Sequence, residues 1–175
     1  TPKDGTPEQI VFADHSGTFP ATITDASDLR ITDDGTQETE VQITLSSLGT
    51  GNYRQSAKFD LGANWAQEMN LRAAIEFGAS PTSGNLVQFY FAWSHTATSA
   101  SGNPANLSGS DTAYTGYSSN ASTAVKQLVG PYLHICTVQA TTTVQVSNVG
   151  LIYPKGRYGI LVVGNNSGIA FHSSS

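Results

Sequence analysis

Charge is what this sequence has least of. Charged residues make up 12% of 175 positions, about half the usual share of a soluble domain. Beyond Glu76 the only acid is Asp111, and the only bases are Lys126, Lys155 and Arg157. Enzymes work with titratable groups held close together, and more than half of this chain has almost none to offer. The eight Lys and Arg residues stand singly in a chain of net charge −5. That argues against a phosphate-tracking surface and so against a nucleic-acid partner. Cysteine is scarcer still: Cys136 is alone, so no intrachain disulfide forms. Its apolar setting, Leu133 to Val138, reads as a buried and inert thiol. No apolar run approaches the ~20 residues of a membrane-spanning helix.

Small hydroxyl and turn residues fill the space that charge leaves. Ser, Thr and Gly (20, 20 and 17 residues) supply a third of the chain. Between them run short segments of period-two alternation, the pattern of strands with one buried face. Val41, Ile43 and Leu45 form one such face, Leu71, Ala73, Ile75 and Phe77 another, and Val144 and Val146 a third. Two runs, Leu86 to Trp93 and Tyr158 to Val163, are apolar on both faces and read as central strands covered on both sides. Strands are expected at 9–12, 19–24, 28–32, 38–46, 53–60, 69–77, 86–94, 131–139, 142–152, 157–164 and 168–172. Turn chemistry such as Asp33-Asp34-Gly35 and Asn165-Asn166-Ser167-Gly168 separates them. The segment 62–68 has room for one helical turn. The expected fold is all-β: one antiparallel β-sandwich, jelly-roll-like, over residues 9–175, behind an extended N-terminal arm of residues 1–8. Residues 95–127, rich in Ser, Thr, Gly and Asn, read as a long loop leaving one end of the sandwich.

No motif names a reaction. The acids Asp25, Asp28, Asp33, Asp34, Glu38 and Glu40 cluster in sequence but miss the ligand register and closing Glu of an EF-hand. Asp60, Glu68 and Glu76 are candidates for a glycosidase pair, and nothing in their spacing pairs them. His15, His95, His134 and His172 lie far apart without a local metal motif. No phosphate loop, dinucleotide fingerprint or nucleophile elbow occurs. The expectation is therefore no catalytic residue, no metal and no cofactor. Three Asn-x-Ser sequons, at Asn106, Asn120 and Asn165, arise readily in so Ser-rich a chain. Contact with a partner falls instead to aromatics placed in loops: Tyr53, Trp65, Tyr114 and Tyr117. Trp93 belongs to a core strand.

The most distinctive stretch is Tyr153-Pro154-Lys155-Gly156-Arg157-Tyr158-Gly159-Ile160-Leu161-Val162-Val163-Gly164-Asn165-Asn166-Ser167-Gly168. It resembles the final strand pair of small β-sandwich proteins of tailed bacteriophage particles: a Gly-Arg-Tyr lead-in, an apolar strand, an Asn-Ser-Gly hairpin. Asp111 to Tyr117 and Gln127-Leu128-Val129-Gly130 are similar in character to phage structural proteins. The resemblance implies a virion protein of the head-decoration or cement kind. Such a protein binds the major capsid or another virion protein as a homo-oligomer, often a trimer, without nucleic acid or membrane. The alternative reading is a carbohydrate- or receptor-binding β-sandwich module.

Overall fold

The computed structural model describes residues 8–13, 29–32, 37–128 and 133–173. The expected strand 19–24, most of the expected arm 1–8, and Asp25, Asp28, Asp33, Asp34 and His15 lie outside the described residues.

Among the described residues the chain is all-β apart from one short helix. In order it forms β1 (Glu8–Ala13), β2 (Leu29–Thr32), β3 (Gln37–Gln42), β4 (Tyr53–Gln55), β5 (Phe59–Asp60), β6 (Met69–Ile75), β7 (Leu86–Ser94), β8 (Thr112–Ala113), α1 (Ala121–Leu128), β9 (Leu133–Thr137), β10 (Gln145–Ile152) and β11 (Tyr158–Asn166). One sheet has the order β10-β6-β2-β1-β3, the other β8-β4-β11-β7-β9, with β5 also on β11. Pairing is antiparallel except that β1 and β3 run parallel. The segment 62–68 forms turns and bends, not a helix.

Period-two alternation decides which side chains meet between the layers. Ile10, Phe12, Val41, Leu71, Ala73 and Ile75 of the first sheet share one core with Val87, Phe89, Phe91, Leu161 and Val163 of the second. Phe12 meets Phe59 edge-to-face across the layers, ring centroids 5.3 Å apart. Trp93 packs against this core as expected, stacked on Phe91. One expected face is reversed. Val146 is 52% exposed, because a bulge between Asn148 and Gly150 shifts the β10 register on β6. A shift of one residue exchanges the faces of a strand, so Val149 and Ile152, not Val144 and Val146, turn inward.

The alternate residues of β7 and β11 need a second cover, and residues 95–128 supply it. Tyr90, Ala92, Ile160 and Val162 on the outer face of the second sheet are buried beneath Ala105, Leu107, Tyr114, Ala124, Val125 and Leu128. The expected excursion from the end of the sandwich is thus a lid folded flat over the sheet. The helix α1 starts at Asn120, whose side chain accepts the Thr123 amide at 3.2 Å, an N-cap. It buries Ala124, Val125 and Leu128 on one face. Gly116 lets the chain pass beneath it: its φ is +65°, and an added Cβ would come within 2.5 Å of the Ala124 Cβ.

A packed lid and a loose loop respond differently to truncation. Leu107→Ala is expected to cost about 2–4 kcal/mol in urea unfolding, whereas a solvated loop residue would cost close to nothing.

Candidate functional site

A half-open groove of about 550 Å³ lies at the side of the molecule where β3 leaves its sheet. One wall is the segment after β3, from Thr44 through Ser47, Asn52 and into β4; the other is Thr115 and the start of α1, with Ser119, Asn120 and Ser122. Tyr53, Arg54 and Tyr114 line its floor. Ten of its sixteen lining residues carry a hydroxyl or amide, Leu48, Ala113 and Ala121 add apolar surface, and Arg54 is its single charge.

That charge is held. The Arg54 Nε donates to Asp111 Oδ1 at 2.6 Å, and the Thr44 hydroxyl and amide donate to the same carboxylate at 2.6 and 3.1 Å. Burial pushes the Asp111 carboxyl up; the Arg54 guanidinium and the two Thr44 bonds outweigh it, so the group sits below its ordinary 3.8. The sole acid of the C-terminal half thereby ties the lid to β4 and to the extension of β3.

A second clamp holds the lid from below. Lys58 Nζ donates to the carbonyls of Thr96, Thr98 and Ser101 at 3.1, 2.7 and 2.8 Å and to the Ser94 hydroxyl at 3.2 Å. Burial lowers its pKa. An ammonium can meet three acceptors at once, and here it gathers a loop that has no apolar anchor of its own. A third pair, Arg157 on Asp60 at 2.6 and 2.7 Å, is bidentate and half-exposed. The Arg157 hydrogen bonds hold the Asp60 carboxyl below its ordinary value.

The aromatics expected to face a partner divide. Tyr117 is 50% exposed and is bridged to Asn120 of the groove's lining, without lining the groove itself. Tyr114 and Tyr53 are buried, a correction to their expected exposure: the lid that carries Tyr114 folds down on the sheet that carries Tyr53. The Tyr114 hydroxyl donates to the Ala105 carbonyl at 2.7 Å, and burial, then nearby Tyr117, pushes its pKa up to about 12. Trp65 is partly buried against the main core. Among the described residues, no three His, Cys, Asp or Glu gather where a metal would bind. Glu68 lies exposed beside β6, Glu76 faces His172 at 3.9 Å, and Asp60 is on Arg157, so the expected carboxylates are not brought together. The sequon residue Asn165 is fully buried, its amide donating to the carbonyls of Leu48 and Ile169 at 2.7 and 2.8 Å, which leaves it no way to carry a glycan in the folded protein.

Of the groove residues, sequence singles out Tyr53 and Tyr114 as aromatics and Asn120 as a sequon; the others it does not, since Ser, Thr and Asn in turns look the same whether they line a cleft or face bulk water. No protein-family model, curated protein or solved structure matches this chain.

Two substitutions test the clamps. A carboxyl whose folded pKa lies below its unfolded one stabilises the fold above the unfolded value, and that contribution vanishes as pH falls through the folded one. Asp111→Asn should therefore be less stable than the natural protein by about 1–3 kcal/mol at neutral pH, with the gap between urea midpoints narrowing as pH falls below the ordinary carboxyl value of 3.8 and through the lowered folded one. Lys58→Met should raise amide hydrogen exchange across 96–110 by about tenfold or more, with little change in β7 or β11.

Proposed function

We propose that this protein is a non-enzymatic structural component of a virus particle, a decoration or cement protein that binds the capsid shell as a closed homo-oligomer, a trimer being the favoured form. The finer architecture we read into its two layers is a jelly-roll-like sandwich. One observation carries the assembly reading: β9 and β10, the strands of the uncharged stretch, lie on a single side of the molecule.

From Gln127 to Pro154 there is no Asp, Glu, Lys or Arg. This run contains β9 and β10, each the outermost strand of its sheet among the described residues. The connection between them crosses from one sheet to the other and is closed by Gln139 and Gln145, whose side chain accepts the Gln139 amide at 2.9 Å and donates to its carbonyl at 3.0 Å. Both edges therefore share one flank. Edge strands are normally guarded by charge, proline or brevity. On the opposite flank β3 carries Glu38 and Glu40, and β8 is two residues long. Neither β9 nor β10 carries a charge or a proline, the bulge at Asn148/Gly150 being the guard β10 has, and Val146 (52%), Leu151 (40%) and Tyr153 (42%) are exposed along this flank.

A chain of net charge −5 repels its own copies, and least where no acid stands: the charge beside β10 is the exposed Arg72 of β6, paired with Asn148. Oligomer contact through this flank leaves the acidic one pointing away. Tyr117 and the groove remain for other contacts.

Light scattering of the isolated protein should give a discrete closed oligomer. The double substitution Val146→Lys and Leu151→Lys should convert it to monomer with an unchanged circular dichroism spectrum, and should weaken binding to capsid shells. A natural protein that stays monomeric at every soluble concentration removes this support.

A further inference from the structure

We propose that the groove between the extension of β3 and the start of α1 is a binding site for a neutral oligosaccharide. The inference does not rest on the assembly reading, since it concerns the opposite flank and a different set of residues.

Three observations carry it. The first is size: about 550 Å³ falls within the roughly 300–1,000 Å³ of small-ligand sites. The second is the chemistry of the walls. Ser46, Asn52, Thr115, Asn120 and Ser122 present hydroxyls and amides from both sides, groups that donate and accept. The only charge, Arg54, is ion-paired at 2.6 Å with Asp111. A site with no net charge favours neither an anion nor a cation, and it matches a ligand that is itself a dense array of neutral donors and acceptors. The third is the backbone of the floor. The β4 strand is paired on both sides, with β11 and with β8, so no ladder position is open for an extended peptide to join. What the groove offers is side chains, and a pyranose chain is read through side chains. Tyr117, half-exposed and bridged to Asn120, adds a flat apolar surface for a sugar face.

The Asp111 clamp and the α1 N-cap both serve this site. Asp111 fixes Arg54 and Thr44 in the floor and near wall. The N-cap fixes Asn120 and Ser122 in the far wall. The walls are therefore built before any ligand arrives, which limits the entropy lost on binding.

The test is a ¹⁵N–¹H NMR titration of the whole chain with maltotriose, cellotriose and tri-N-acetylchitotriose in turn, with inorganic phosphate as the charged control. At least one sugar should give saturable shifts confined to amides of 44–54 and 113–122, and phosphate none. Ser122→Trp, at an exposed position of α1, fills the groove and should weaken that sugar by about tenfold or more, while the amide spectrum away from the groove stays in place. Saturation by none of the three sugars overturns the proposal. So do shifts that persist undiminished in Ser122→Trp, or a response to phosphate at the same amides.

Discussion

Three successive residues hold this molecule together. The Ser56 amide donates to the Leu161 carbonyl at 2.8 Å, the Ala57 amide to Gln42 at 2.8 Å, and the Lys58 amide to Gly109 at 3.0 Å. Those acceptors belong to the second sheet, the end of the first sheet and the lid. Ordinarily, amides along a strand edge pair with one neighbour; here the strand breaks after Gln55 so that each faces a different layer. Breaking it leaves an orphan on β11, and the Ser56 hydroxyl meets it by accepting the Leu161 amide at 3.0 Å. Ser56 is fully buried, so a residue unable to accept would leave that amide unsatisfied, at a cost of about 1–3 kcal/mol.

Around this junction the layers follow from two apolar strands. Because β7 and β11 are apolar on both faces, a two-layer fold would leave Tyr90, Ile160 and Val162 in water. The lid removes them, and half of its buried apolar groups are small: Ala105, Ala124 and Val125, with Leu107, Leu128 and Tyr114 as the larger contributors. So thin a cover cannot hold by burial alone. Polar clamps complete it, with Lys58 on the loop after β7 and Asp111 on β4. Three of the few charges of so neutral a chain, Arg54, Lys58 and Asp111, thus find their use at the lid's margins.

The same facts explain which parts of the fold were legible in the sequence. Alternation at 41–45 and 71–77 identifies core faces directly, since side-chain direction in a strand depends only on parity. The double-faced runs at 86–93 and 158–163 require a second cover. The cover itself was not readable: α1 has two turns, too short for a helical stripe to stand out, and the apolar residues of 95–128 are spaced among Ser, Thr, Gly and Asn. Tyr114 therefore looked like a loop aromatic. Its partners, Ala105 and the outer face of β7 and β11, are set by non-local packing. The reversed face of β10 has the same origin, because a bulge is a property of the pair and not of the strand. The parallel pairing of β1 with β3 likewise depends on where the chain goes between them. Beside the groove, Tyr117 alone among the four expected contact aromatics stands exposed.

The two surfaces then sort by charge onto opposite flanks. Sheet order places β10 and β9 at one margin, and β3 and β8 at the other. The first margin has lost every charged side chain from Gln127 to Pro154. The second keeps Glu38 and Glu40 on β3, and the Arg54–Asp111 pair beneath the groove. A flank poor in charge is suited to lasting contact, because desolvating it carries little ionic penalty. A flank that keeps charge resists self-association and stays open to solvent. Packing copies through the first leaves every groove facing outward, so self-assembly and ligand binding do not compete for surface. Repetition in a closed oligomer would also present several grooves at once, and a ligand held weakly at each would be held more strongly by the array.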